Sequence, residues 1–448
     1  MRDYPSGFGP GEEPSIARIP GIHRQTVSEP DASDRGALRY LLPSTLFQAQ
    51  MFSSLRYRNF RLYWIGTVIA NTGDWMDQIA LGWLMWQLTG SGTYLGLLAF
   101  FRAAPILVFT LFGGALADRV ERRRLMQGTQ SFAMCLALLL AFLVFSGMVE
   151  VWHVLAIGAL RGIFMSINMP TRQALMSDIV PRENLMNAIA LNSATMNLTR
   201  ILGGSLGGLM ITFIGIGGVF LVNGLSFIIL ITALALMTIP PITKSLERKS
   251  LLASIAEGLG YIRGNPQLRG LIVLALVPMI FGMPYMTLLP IFADQVLGVG
   301  NEGYGLLVAF TGAGAMIGAL TIAALSGMRQ RGKVMLIVMV MFGVMLLLFS
   351  QSPWPILSYA LLLGVGAGQT TYMALNNTLL QTLSSDEMRG RVMSIFFLNR
   401  GMVPLGTVGA GFASEWIGVQ WTVTAMAGVL VVLGLVMFVR SPQIRELA

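Results

Sequence analysis

Between residues 60 and 439 the chain alternates long apolar stretches with short polar connections. About twelve such stretches can be drawn, over 60–88, 92–117, 124–146, 151–177, 184–213, 218–239, 268–294, 303–325, 333–350, 354–382, 388–416 and 420–439. A helix crosses a hydrocarbon core of ~30 Å with about 20 apolar residues. Every stretch reaches that length, 333–350 only marginally. The pattern predicts an all-α membrane protein with twelve transmembrane helices.

The connections fall into two kinds. One set carries Arg56, Arg58 and Arg61; Arg119, Arg122, Arg123 and Arg124; Arg182; Lys244, Arg248, Lys249 and Arg263; Arg329, Arg331 and Lys333; Arg389 and Arg391; Arg440 and Arg445. The alternate set, near 89–92, 147–151, 214–218, 295–303, 351–354 and 417–420, carries no Lys or Arg. Basic residues stay on the cytoplasmic side of a bilayer. The expected location is therefore the inner (plasma) membrane, with both termini in the cytoplasm.

Composition agrees: 54% of the residues are hydrophobic and 11% charged, where a soluble domain carries about 25%. The net charge of +9 does not point to nucleic acid. Its residues sit at helix ends and in short loops, where they meet anionic lipid. A lone cysteine, Cys135, excludes a disulfide framework. Residues 1–55 are polar and lack a continuous apolar stretch, and read as a disordered cytoplasmic tail. Residues 240–266 form the longest internal connection and separate six apolar stretches (56–239) from six more (267–448). Within it Leu251, Ile255, Leu259 and Ile262 recur at helical spacing, which suits a short helix on the inner membrane surface. Segment 173–191 can be laid on 377–395 without gaps, each joining the fourth stretch of its half to the fifth. Two pseudo-symmetric six-helix bundles are the expectation, and like halves suit alternating access around a central site.

Between the second and third stretches stands GGALADRVERRRLM (113–126). It resembles the signature loop of the major facilitator superfamily: Gly, three residues, Asp, a basic residue, one residue, Gly, then two basic residues. Gly114, Asp118, Arg119, Arg122 and Arg123 match, and Glu121 stands where the family has Gly. WLMWQLTGS (83–91), LPIFADQVLGVGNEGYGLL (289–307) and NNTLLQTLSSDEMRGRVMS (376–394) resemble the enterobactin-exporter-like branch of that superfamily. The resemblance implies a twelve-helix secondary transporter that exports small molecules, siderophores and drugs among them. In physical terms Asp118 is an anion at an inner helix end. The eleventh stretch starts near Glu387 on the same face, and its N-terminus carries about half a positive charge. Contact between the two would latch the halves, while Arg122 and Arg123 would meet Asp178. The second half holds only a degenerate copy, SGMRQRGK (326–333).

An ionisable group at mid-bilayer costs at least ~2.5–3.5 kcal/mol, which makes it a functional candidate. The candidates here are Asp74 and Asp77 in NTGDWMDQ (71–78), Arg102, Arg161, Arg200 and Arg400. At about 1.5 Å per residue, Asp77, Arg102 and Arg161 all lie roughly 15 Å from the outer surface. Asp74 is one turn deeper on nearly the same face. Acid and arginines at one depth can form a static neutral pair. They can also hold a coupling proton, since desolvation favours the neutral carboxyl and a nearby guanidinium the ionised one. Arg161 in ALRGIF (159–164) resembles the fourth-helix arginine of drug–proton antiporters. RILGGSLGG (200–208) resembles their fifth-helix motif with Gly204 in the place of proline; small residues there let helices approach.

Trp75, Gln78, Asn168, Tyr285, Gln369, Tyr372 and Asn376 lie near mid-helix on cavity-lining segments and are the candidate substrate contacts. With only His23 and His153, no metal site is expected. No GxxxxGK[ST] loop is present, so no ATP and no cofactor is expected. A polytopic membrane enzyme would have little to work with: neither GxSxG nor HExxH occurs. A transport-dead sensor would have lost the intramembrane charges, which are present. The leading expectation is a monomeric, proton-coupled exporter of a small molecule. Uptake or lipid flipping by the same fold is the alternative.

Overall fold

The computed structural model describes residues 52–117, 120–238, 251–324 and 330–447. Among them the secondary structure is helical throughout, without a strand. The expected tail up to residue 51 and the linker residues 239–250 lie outside the described residues, as do Asp118 and Arg119.

Helix α1 is Arg58–Thr89, α2 Gly92–Ala117, α3 Arg122–Phe145 and α4 Val151–Ile179. A rod of 54 residues, Arg182–Ala235, follows and breaks at Gly215, where φ is 72° and ψ 172°. Only glycine occupies that region without strain, so the rod divides into α5 (182–214) and α6 (216–235). Helix α7 is Leu251–Gly264, and α8 is Pro266–Val296 with two π-helical stretches. Then come α9 (Gly300–Ala324), α10 (Arg331–Gln351) and α11 (Pro355–Leu383). Helix α12 joins Asp386–Leu398 to Val403–Ile417 through a 3-10 turn, Asn399–Met402. Helix α13 is Val419–Arg440, and Pro442–Arg445 closes the chain as α14.

Among the described residues, seven helices are long and apolar enough to cross a membrane, the rod 182–235 being one of them. Helices α1 and α11 fall short because polar residues interrupt their apolar runs, and α12 because its 3-10 turn divides it. Six long helices precede α7 and six follow. The gapless match of 173–191 to 377–395 survives at the joints: Ile179 and Leu383 end α4 and α11, and Arg182 and Asp386 begin α5 and α12.

Proline chemistry shapes α8. Pro278 has no N–H for the carbonyl of Leu274, four residues back. The Tyr372 hydroxyl donates to that carbonyl at 2.7 Å instead. One turn further along α11, the Asn376 amide donates to the Leu271 carbonyl at 3.1 Å. Helix α8 is thus tied to α11 through the carbonyl that Pro278 frees and through a second, one turn earlier.

The two sets of helices meet along two glycine seams. In α5, Gly203 and Gly207 face α1: a Cβ at Gly203 would come 2.4 Å from the Trp75 Cβ. Gly204 and Gly208, one position on, face α9: a Cβ at Gly208 would come 2.5 Å from the Asn301 carbonyl oxygen. The paired spacing therefore serves two neighbours at once. Between α2 and α12, a Cβ at Gly96 would come 2.6 Å from the Thr407 carbonyl oxygen. Polar contacts reinforce these seams at one set of helix ends. The Trp86 indole donates to Asp294 Oδ2 at 2.9 Å. Glu415 accepts from the Ser91 hydroxyl and the Thr93 amide. Asn301 donates to the Gly208 carbonyl and to Thr212 Oγ1, each at 2.8 Å.

One boundary differs from the sequence expectation. The tail does not run to residue 55: Ser53–Arg56 is a 3-10 turn, and Ser54 is fully buried. The Ser54 hydroxyl and amide both donate to Asn187 Oδ1 on α5, a polar anchor that hydropathy does not register. Helix α7 falls where the linker helix is expected. Its Glu257 pairs with Arg391, and its Tyr261 hydroxyl accepts from the Ser385 amide, so it is docked on the start of α12.

Gly208→Leu is expected to pry α5 from α9. Paired cysteines at Thr212 and Asn301, with Cys135 replaced, should cross-link in the parent and fail to do so in Gly208→Leu. Undiminished cross-linking in that variant would contradict the close approach.

Candidate functional site

Asp77 lies on α1 and Arg161 on α4, two helices whose apolar faces leave each charge no water. The structure brings them together. Both guanidinium nitrogens of Arg161 donate to the Asp77 carboxylate, Nη2 to Oδ1 at 2.9 Å and Nη1 to Oδ2 more closely. The Asp77 side chain is 1% exposed and that of Arg161 11%. Glycine sets the register: a Cβ at Gly162 would come 2.3 Å from the Arg102 carbonyl oxygen, so α4 and α2 touch backbone to backbone beside the pair. Bidentate geometry is what a guanidinium offers a carboxylate and an ammonium does not.

Asp74 is accessible, unlike Asp77. Its charged neighbours Arg161, Asp77, Arg102 and Arg172 come from α1, α2 and α4, which puts its carboxylate in the space between those helices. Arg102 shares that field and is also a neighbour of Tyr304 on α9. Tyr304 is 5% exposed and stacks on Trp83 of α1, with ring centroids 6.2 Å apart. Arg172 was not among the residues singled out by depth. It donates to Asn71 Oδ1 at 3.3 Å and to Asn192 Oδ1 at 3.1 Å, linking α4 to α1 and α5. The signal was present: an arginine inside α4, seven residues short of its end at Ile179.

Arg200 stands apart from the acids. Its guanidinium lies over the Trp75 ring, 5.3 Å from the centroid, and its Nη2 contacts the Met286 sulfur of α8 at 3.3 Å. Its buried Nε has no partner among the described residues. Cation–π contact at this range stabilises a desolvated guanidinium. Arg400 falls in the 3-10 turn of α12, and its side chain lies outside the described residues.

At the opposite helix ends, Arg122 Nη1 reaches both Asp178 oxygens at 2.6 Å. Arg123 takes other partners: Glu121 at 3.0 Å and the Met237 carbonyl at 2.8 Å. Glu121 adopts φ −55°, an ordinary value for a non-glycine residue, and pairs with Arg123 and Arg124. The turn does not require the glycine of the family pattern. Gly114 lies within α2; the expected contact of Asp118 with α12 falls outside the described residues.

The sequence profile of the transmembrane secretion effector family matches residues 49–447. The chain belongs to that family of major facilitator transporters. Three relatives illustrate its range. The staphyloferrin A transporter of Staphylococcus aureus is 24% identical over 79% of this chain and 89% of its own length. The multidrug efflux pump Tap of Mycolicibacterium fortuitum is 29% identical over 84% and 94%. The enterobactin exporter EntS of Shigella flexneri is 29% identical over 69% and 73%. A bacterial homologue of the human lysosomal transporter Spinster, in an inward-facing unoccupied conformation, superposes with a TM-score of 0.68 at 14% identity, covering 86% of this chain and 98% of that one. The fold and the relatives are those of membrane transporters that carry small molecules.

Within this transporter the expected cavity residues separate into two groups. Trp75, Gln78 and Asn168 are half-buried on α1 and α4, near the charges. Tyr285, Gln369, Tyr372 and Asn376 are buried and do not open to a cavity in this conformation. Tyr372 and Asn376 are spent on the α8 carbonyls, and the Gln369 amide contacts the Met283 sulfur. Mid-helix polarity marks both kinds of position, and burial in or against α8 distinguishes them.

Removing one member of a buried pair costs about 3–5 kcal/mol, because the other charge is left without a partner. Asp77→Asn and Arg161→Gln are each expected to lower the unfolding stability of the purified protein by that order. The double variant should be more stable than the sum of the two losses predicts. Additive losses would show that the pair is not coupled.

Proposed function

We propose that this chain is a secondary transporter of the inner membrane that exports a siderophore- or drug-like molecule by alternating access, with protons as the coupling ion. Two six-helix bodies, 56–239 and 267–448, rock about the glycine seams, and the monomer is the working unit. Both termini lie in the cytoplasm. The observation that carries the reading is the Asp77–Arg161 pair with Asp74 one turn away. An ionised pair is stable in hydrocarbon only while it stays closed. A proton on Asp74 or Asp77 releases the arginine without leaving a bare carboxylate, so protonation and helix movement are linked.

The cross-body contacts of Trp86, Ser91, Thr93 and Asn301 all lie at the outer helix ends, which supports a state closed to the outside and suited to loading from within. Asp118 serves as the inner latch on α12 when the cycle reverses, with Gly114, Arg119 and Arg123 shaping its loop and Arg122 anchoring it to Asp178. The export direction rests on two relatives, the multidrug efflux pump Tap and the enterobactin exporter EntS.

The test is efflux of siderophores and of cationic dyes from cells lacking their own exporters, with and without a proton uncoupler. Uncoupling should abolish efflux, and Asp74→Asn or Asp77→Asn should lower it at least tenfold, the effect of removing about 1.4 kcal/mol of coupling. Efflux indifferent to the uncoupler removes the coupling ion. Accumulation in place of loss assigns uptake.

A further inference from the structure

The charges between the helix ends do not balance. The first six helices place two carboxylates there, Asp74 and Asp77, against four guanidinium groups, Arg102, Arg161, Arg172 and Arg200. Arg161 is consumed by Asp77. Arg172 is held by two neutral amides. Among the described residues neither Arg102 nor Arg200 has an ion-pair partner. The last six helices supply no relief: their acids, Asp294, Glu302, Asp386, Glu387 and Glu415, all stand at helix ends, and Arg400 adds a further cation to the sequence. Even with Asp74 ionised, the middle of the transporter carries an excess of positive charge, which hydrocarbon disfavours.

We propose that the cargo supplies the missing charge: it is an anion, with Arg200 as its principal contact. This rests on the transport reading above and narrows its substrate class. Arg200 is suited to the role by what it lacks. Its planar group is fixed over Trp75, its one polar contact is a methionine sulfur, and its buried Nε is unpartnered. A pre-oriented guanidinium without a carboxylate gives a ligand anion two parallel hydrogen bonds at little ordering cost. A cation would meet the opposite field, with Asp74 as its only free counter-charge. Anionic cargo also leaves an inside-negative cell down the membrane potential.

The test is direct binding to the purified full chain in lipid nanodiscs, without any gradient. The probes are a tris-catecholate chelator, a citrate-based chelator and ethidium as an organic cation. At least one anionic probe should bind more tightly than ethidium and weaken as salt rises. Arg200→Gln should weaken that probe about tenfold or more, the scale of one charge-assisted hydrogen bond. Arg200→Lys, which keeps the charge, should weaken it less. Arg124→Gln, which removes an exposed loop charge, should leave it unchanged. Ethidium binding as tightly as both anions would overturn the proposal, as would an Arg200→Gln protein within twofold of the parent. Uncoupler-indifferent efflux with anion preference intact would remove proton coupling and leave this inference standing.

Discussion

Hydrocarbon offers a charge no solvent, and that single constraint orders the structure from sequence to site. A buried carboxylate must have a partner or take up a proton. Asp77 has its partner in Arg161, held by both carboxylate oxygens. The pair joins α1 to α4 only because Gly162 lets α4 lie against the α2 backbone. Backbone groups obey the same rule. Pro278 frees a carbonyl in α8, and Tyr372 comes from α11 to bond it. Each departure from a plain apolar helix is thus matched by a specific contact to a neighbour.

Glycine provides the second half of the design. The run at 203–208 places four glycines on two faces of α5, one against α1 and one against α9. Without side chains to interlock, such seams rest on close backbone packing, and they can slide or pivot with little rearrangement. Polar contacts of Trp86, Ser91, Thr93 and Asn301 tie the seams together at one set of helix ends. The charge cluster lies along α1, between the seams that would have to move.

Much of this architecture is legible in the sequence because the bilayer imposes a length and a sign rule. The hydrophobic stretches gave helix positions to within a few residues, and the depth estimate put Asp77, Arg102 and Arg161 at one level. What escaped has physical reasons. Ser54 is a buried polar anchor in a stretch that hydropathy reads as tail. Tyr372 and Asn376 look like cavity residues until their bonds to the α8 carbonyls, one of them freed by Pro278, are known. Arg172 sits close enough to a helix end to pass for a topology charge, yet it bridges three helices. Arg123 is expected beside Asp178 because both stand at helix ends on one membrane face, and it turns instead to Glu121 and the Met237 carbonyl.

In the proposed cycle Asp77 and its arginine are the pivot of two bodies. The most direct measurement is the distance between spin labels placed in pairs across the bodies, one pair at the inner helix ends and one at the outer, at neutral and acidic pH. Reciprocal change is predicted, one end closing as the other opens, and Asp77→Asn should remove its pH dependence. Ends that stay fixed, or that open together, would contradict it.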